Sequence, residues 1–155
     1  MEKSNIDEKI KLLTGSGMWH TQEVEDLPSV HLSDGPHGLR KQEEKERQNN
    51  VSLVSTCYPT ASALACSWDV TAAERLGRAV AKEAWNADVA VLLGPGINMK
   101  RSPLCGRNFE YFSEDPFLAG RLGAAYVSAA QGENVAVSLK HFAANNQETN
   151  RQTAN

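Results

Sequence analysis

Val89-Ala90-Val91-Leu92-Leu93-Gly94 is an unbroken apolar run of strand length, rich in branched side chains and closed by glycine, and it reads as a buried strand. Working outward, the chain next reaches Cys105-Gly106-Arg107-Asn108-Phe109-Glu110-Tyr111-Phe112-Ser113-Glu114-Asp115-Pro116, which crowds charged and aromatic groups more densely than a plain connection needs. A second apolar run, Val135-Ala136-Val137-Ser138-Leu139, ends directly in Lys140-His141, and a third, Val30-His31-Leu32, ends in Ser33-Asp34-Gly35-Pro36-His37-Gly38. Runs that each discharge into polar groups point to parallel strands with a ligand beyond their carboxyl ends, in a barrel or an open α/β sheet. The ligand class is a small polar molecule.

The segments between the runs read as helices. Asp69 can cap a helix in which Ala73, Leu76, Val80 and Ala84 recur at helical spacing, with Glu74 and Arg78 as an i,i+4 pair. Asp115 caps another, with Pro116 at its first position and Leu118, Leu122, Ala125 and Ala129 on one face before Gly132. Residues 57–67 are small and apolar, bounded by Pro59 and by Trp68-Asp69, and suit a further strand with its exit loop. Upstream, Asn5 and Glu8 form a capping signal for a short helix to Gly15 with Ile6, Ile10 and Leu13 on one face, followed by an irregular stretch over residues 16–27. The mixed-charge run over residues 40–47 reads as a solvated loop or frayed helix without a chemical role.

The 155 residues, 41% of them hydrophobic, suffice for one domain with a core. A net charge of -3 gives no reason to expect nucleic acid or an anionic membrane as partner. No signal sequence or membrane-spanning run is visible, so a cytoplasmic, soluble product is expected. Cys57, Cys66 and Cys105 are odd in number and lack CxxC spacing, which predicts reduced and mostly buried thiols. Four strand-like runs separated by helices or loops follow the order of βα units. A complete (β/α)8 barrel takes about 250 residues, so either the sheet is open and doubly wound or these residues are part of a barrel.

Asp34 sits in a glycine and proline turn at a strand end, where a carboxylate can accept from two neighbouring sugar hydroxyls, or simply cap the turn. Arg107 offers a planar fork of donors and Lys140 a compact cation, with His141 beside it. Arg107 and Glu110 also suit a structural ion pair. Other chemistries fail on spacing. The third glycine of a dinucleotide fingerprint beginning at Gly94 would fall at Met99, and neither a phosphate loop, a His-Glu-x-x-His pair nor a Gly-x-Ser-x-Gly elbow occurs. His20, His31, His37 and His141 show no ligand spacing, so no metal is expected, and no cofactor is indicated.

Five ordered passages then carry a resemblance: residues 33–40, 64–69, 94–98, 101–116 and 139–148 closely resemble the amino-terminal barrel domain of glycoside hydrolase family 3, in particular its bacterial β-glucosidases. The resemblance implies the first half of a (β/α)8 barrel, about four βα units over residues 1–155, with the family's second α/β domain outside them. It implies that Asp34, Arg107, Lys140 and His141 grip the hydroxyls of the terminal sugar, and that Arg40 and Arg151 match further pocket arginines. It also implies a retaining mechanism whose nucleophile is an aspartate of a later strand, usually within Ser-Asp-Trp, and whose acid/base is a glutamate of the following domain. Asp34, Glu110 and Glu148 match neither, so the chain by itself is expected to bind a β-linked glucoside or oligosaccharide without cleaving it. Two rivals stand beside this reading: a barrel lysine forming a Schiff base at Lys140, and a non-catalytic sugar-binding or assembly module. Self-association through exposed half-barrel edges is a further expectation.

Overall fold

The computed structural model describes residues 6–42 and 51–153. Three short parallel strands form its centre: β1 (Leu32–Asp34), β2 (Val91–Leu93) and β3 (Ala136–Val137), lying side by side in chain order. Leu32 pairs with Val91, Ser33 with Leu92 and Asp34 with Leu93, while Val91 and Leu92 pair with Ala136 and Val137. Among the described residues the helices are α1 (Ile6–Lys11), α2 (Ala61–Ala65), α3 (Val70–Asn86) and α4 (Pro116–Gln131), with one 3-10 turn at Asn108–Glu110. The crossover from β1 to β2 runs through α2 and α3, and that from β2 to β3 through α4. Neighbouring strands follow one another without reversal, an order consistent with part of a (β/α) barrel.

The predicted caps are where the sequence placed them. Asp69 accepts from the Thr71 amide at 2.8 Å to begin α3. Asp115 accepts from the Phe117 and Leu118 amides at 3.0 and 3.2 Å to begin α4, with Pro116 where its missing N–H has no helical partner to lose. Ala73, Leu76, Val80 and Ala84 are all buried, as are Leu122, Ala125 and Ala129. Arg78, however, turns to Glu133 at 3.3 Å rather than along its own helix to Glu74.

The strand reading of residues 57–67 is corrected. Thr60 accepts from the Ala63 amide, and Ala61–Ala65 form helix α2, so the described residues hold three strands rather than four. An alanine-rich segment behind a threonine cap favours helix, and a short apolar run carries no period to say otherwise. The thiols differ too: Cys105 is buried, but Cys57 and Cys66 are exposed. Helix α1 ends at Lys11, short of Gly15, and Ile6, Ile10 and Leu13 are exposed. Asn5 and residues 43–47 of the mixed-charge run lie outside the described residues. No helix among the described residues is long and apolar enough to cross a membrane.

Helices α3 and α4 pack closely enough to require a residue without a side chain. A Cβ on Gly77 would fall 2.4 Å from the Tyr126 carbonyl oxygen. Gly77→Ala should therefore destabilise the chain by about 1 to 3 kcal/mol in urea denaturation. Gly120→Ala, where nothing lies within 4 Å, should instead stabilise by about 0.5 to 1 kcal/mol. Equal effects at the two positions would mean that the helix contact does not limit stability.

The two sheet edges are unlike. Beside β1 the chain doubles back, Trp19 accepting from the Leu32 amide at 2.7 Å and Val30 accepting from the Thr21 amide at 3.1 Å. Beside β3 no further strand pairs among the described residues. There Ile97, Leu139 and Phe142 line an open hollow of about 350 Å³, and Phe142 is fully exposed.

Candidate active site

Three strand ends deliver the predicted groups to one place. Asp34 closes β1, the loop after β2 carries Arg107 and Glu110, and Lys140 and His141 follow β3. Lys140 Nζ donates to Asp34 Oδ1 at 2.7 Å and lies 3.3 Å from Glu110 Oε2. The other Glu110 oxygen accepts from Arg107 Nε. Arg107 also approaches Glu148 at 3.6 Å, and Arg151 reaches the same carboxylate at 3.0 Å. The result is a line of alternating charges: Asp34, Lys140, Glu110, Arg107, Glu148, Arg151.

Glu110 is the inner member, with 6% of its side chain exposed, against 30% for Asp34 and 63% for Arg151. The ion-pair reading of Arg107 and Glu110 is thus correct, and the pair lies inside the site. Burial alone would push the Asp34 carboxyl up. The hydrogen bond and charge of Lys140, with the Gly35 amide, outweigh it and hold the group below its ordinary value. For Glu148 the hydrogen bond from Asn145 is the main cause of a lowered value, with Arg151 and Arg107 adding to it.

The protonation of His141 follows from its partners. Arg107 only donates, so His141 Nε2, 2.7 Å from its guanidinium, must accept. The ring proton then sits on Nδ1, 2.9 Å from the Tyr111 hydroxyl, which also accepts from Asn145 Nδ2 at 2.9 Å. A neutral ring is what the surroundings favour, since burial and then the Arg107 and Lys140 cations lower its pKa, against the opposing pull of Glu110 and Asp34. His141 therefore aims Arg107, and both of its nitrogens are engaged.

Its own orientation comes from Asn98, whose side-chain oxygen accepts from the His141 amide at 2.6 Å while its NH2 donates to the His141 carbonyl at 3.2 Å. The turn bearing Asp34 is fixed from the helix layer, where the buried Tyr126 hydroxyl donates to the Pro36 carbonyl at 2.8 Å.

Arg40 and Arg151 are placed differently from the inner groups. Arg40 is exposed; its backbone amide donates to the Asp34 carbonyl at 2.9 Å and its charge helps lower the Asp34 pKa. Arg151 joins through Glu148 at the solvent end. Sequence reasoning did not single out Glu110, Tyr111, Asn98, Asn145 or Glu148 as site residues. Glu110 and Tyr111 share the dense 105–116 passage with Arg107, which was the available signal; the two asparagines and Glu148 follow strand ends inside the 94–98 and 139–148 passages, where the family resemblance was the one signal. Among the described residues no group of His, Cys, Asp and Glu side chains could hold a metal ion.

Chemically, the array presents carboxylate acceptors and cationic donors close together and prearranged, which suits a ligand bearing several adjacent hydroxyls. Parallel strands, helical crossovers and polar groups gathered beyond the carboxyl ends are the features of part of a (β/α) barrel, whose site lies at that face. Residues 29–154 match the family described as the Glycosyl hydrolase family 3 N terminal domain, and the chain belongs to that family of glycosidases. It is 51% identical to the thermostable beta-glucosidase B of Acetivibrio thermocellus over 157 residues, covering 99% of this chain and 21% of that protein. It is 48% identical to an exo-alpha-(1->6)-L-arabinopyranosidase of Bifidobacterium longum, covering 94% of this chain and 20% of that one. Among solved structures, beta-glucosidase 3B from Thermotoga neapolitana in complex with glucose superposes with a TM-score of 0.84 at 36% identity, over 94% of this chain and 22% of that one. The chain therefore spans about a fifth of the length of these relatives.

Proposed function

We propose that these residues form the glycone-binding part of a retaining β-glucosidase, with Asp34, Lys140, Arg107 and His141 recognising the terminal sugar and Arg40 and Arg151 at its margin. The observation that carries the reading is the unbroken Asp34, Lys140, Glu110, Arg107 array assembled from three strand ends. The glucose complex of a relative with the same fold supports it. Comparable identity to a glucosidase and an arabinopyranosidase leaves the particular sugar to other parts of the site.

None of Asp34, Glu110 and Glu148 serves as the nucleophile in this proposal. Each is committed to cations, and formation of a glycosyl-enzyme intermediate needs a carboxylate aimed at the anomeric carbon. The 155 residues alone should therefore release no nitrophenol from an aryl β-glucoside, yet should bind a glucose-derived lactone. In calorimetry, Asp34→Asn should weaken that binding at least ~100-fold, the loss expected when a carboxylate stops accepting two hydroxyl hydrogen bonds. Turnover by the parent chain, or lactone affinity unchanged in the variant, would refute the assignment.

A Schiff base on Lys140 is disfavoured, because an ammonium held between Asp34 and Glu110 has no free lone pair for carbonyl attack. A sugar-binding module without catalysis rests on the same array and would differ only in showing no hydrolysis within any longer protein. Self-association of the 155 residues is favoured by the β3 edge, beside which no further strand pairs among the described residues, and by the exposed Phe142; sedimentation over a concentration series would detect it.

A further inference from the structure

We propose that Ser62 and Lys100, which lie outside the charged array, are positioning residues that fix the Arg107 to Tyr111 turn against helix α2; the consequence for sugar binding rests on the function proposed above. Lys100 Nζ lies 2.6 Å from Ser62 Oγ. An ammonium only donates, so the hydroxyl accepts from Lys100 and its single proton must go elsewhere. Two acceptors are within reach: the Asn108 carbonyl at 2.9 Å and the Tyr111 carbonyl at 3.3 Å. Those carbonyls bracket the 3-10 turn that carries Glu110, directly after Arg107.

The turn is held on its other side as well, where Asn108 Nδ2 donates to the Ser102 carbonyl at 2.7 Å. Within it, hydrogen bonds from the Glu110 amide to the Arg107 carbonyl and from the Tyr111 amide to the Asn108 carbonyl are both 3.2 Å long. Such a short turn fixes little by itself, because i to i+3 geometry is poor and runs of it are brief. Ser62 ties it to a helix of the first crossover, and Lys100 orients the hydroxyl so that its proton faces the turn. Lys100 is partly desolvated to do so, burial lowering its pKa below the ordinary lysine value. Lost at Ser62, the tie would loosen the turn between Arg107 and Glu110, so that the Arg107 Nε–H leaves the Glu110 carboxylate more often and both groups shift relative to Lys140, spoiling the spacing of the donors without removing any of them.

The test is the hydrogen exchange of the Arg107 Nε–H in the 155-residue chain, followed by NMR, with lactone affinity measured on the same samples. Ser62→Ala and Lys100→Met should each speed that exchange about 10-fold and weaken lactone binding by a similar factor. Ser62→Thr, which keeps the hydroxyl, should stay within about twofold of the parent in both. Should Ser62→Ala fail to fold, the comparison of Lys100→Met with the parent carries the same prediction. Unchanged exchange in the folded variants, or equal losses in Ser62→Thr and Ser62→Ala, would overturn the proposal. Faster exchange in a chain whose parent form binds no lactone would uphold the tie and overturn the sugar-binding reading, so the two failures are distinct.

Discussion

Replacing Glu110 with glutamine should destabilise the chain by about 3 kcal/mol, the most of any single substitution in the charged array. Its carboxylate is nearly inaccessible to water and lies between Arg107 and Lys140. Glutamine keeps the shape but leaves two desolvated cations without the anion between them, and turns its own NH2 toward one of them. Breaking one partner of a buried pair is expensive for this reason, whereas exposed pairs contribute little. Arg78→Ala at the exposed contact with Glu133 should therefore change stability by no more than about 0.5 kcal/mol. Urea denaturation of the two variants side by side makes the comparison, and a loss below about 1 kcal/mol for Glu110→Gln would mean that something else holds the cations in place.

Lys140→Met should have the next largest effect, and its sign can be followed with pH. Lys140 holds the Asp34 carboxyl below its ordinary value of 3.8. A group whose folded pKa is lowered contributes stability that is complete above the unfolded value and disappears as pH falls through the folded one. The stability difference between parent and Lys140→Met should accordingly be full at neutral pH, begin to shrink as pH drops below about 4, and keep shrinking through the lowered folded value. A difference independent of pH would locate the lysine's contribution in the packing of its stem rather than in its charge. Lactone binding should be lost as well, since Asp34 and Glu110 would then face each other without the intervening cation.

What was legible in the sequence was local. A cap needs only its own side chain and the next two or three amides, so Asp69 and Asp115 could be assigned from neighbours alone, and the buried faces of α3 and α4 followed from spacing. Residues 57–67 had no such period, and a short run of small apolar side chains reads equally as strand or helix until the Thr60 cap is given its weight. The strand ends of Asp34 and Lys140 were recognised because apolar runs stop abruptly in charged residues. Their pairing joins positions far apart in the chain, and only the parallel register of the three strands brings it about.

The same limit explains the supporting residues. Glu110 was visible as the partner of Arg107, three positions away, but its second contact to Lys140 depends on the fold. Asn98 grips the His141 backbone and Asn145 meets Tyr111, contacts that no spacing in the chain encodes. His141 was assigned to the sugar by resemblance alone; the structure adds that its two ring nitrogens meet Arg107 and Tyr111. That arrangement makes its imidazole a sensor of whatever approaches Arg107.

The His141 ring resonances, recorded by NMR during a titration with a glucose-derived lactone, test the central claim most directly. A ligand held by Asp34, Lys140 and Arg107 must disturb the Arg107 hydrogen bond to Nε2, so the ring signals should shift and saturate in the parent chain and stay unmoved in Asp34→Asn at the lactone concentrations that saturate the parent. Lactone binding that leaves the His141 ring untouched, or shifts it equally in both proteins, would contradict a sugar site built from these three strand ends.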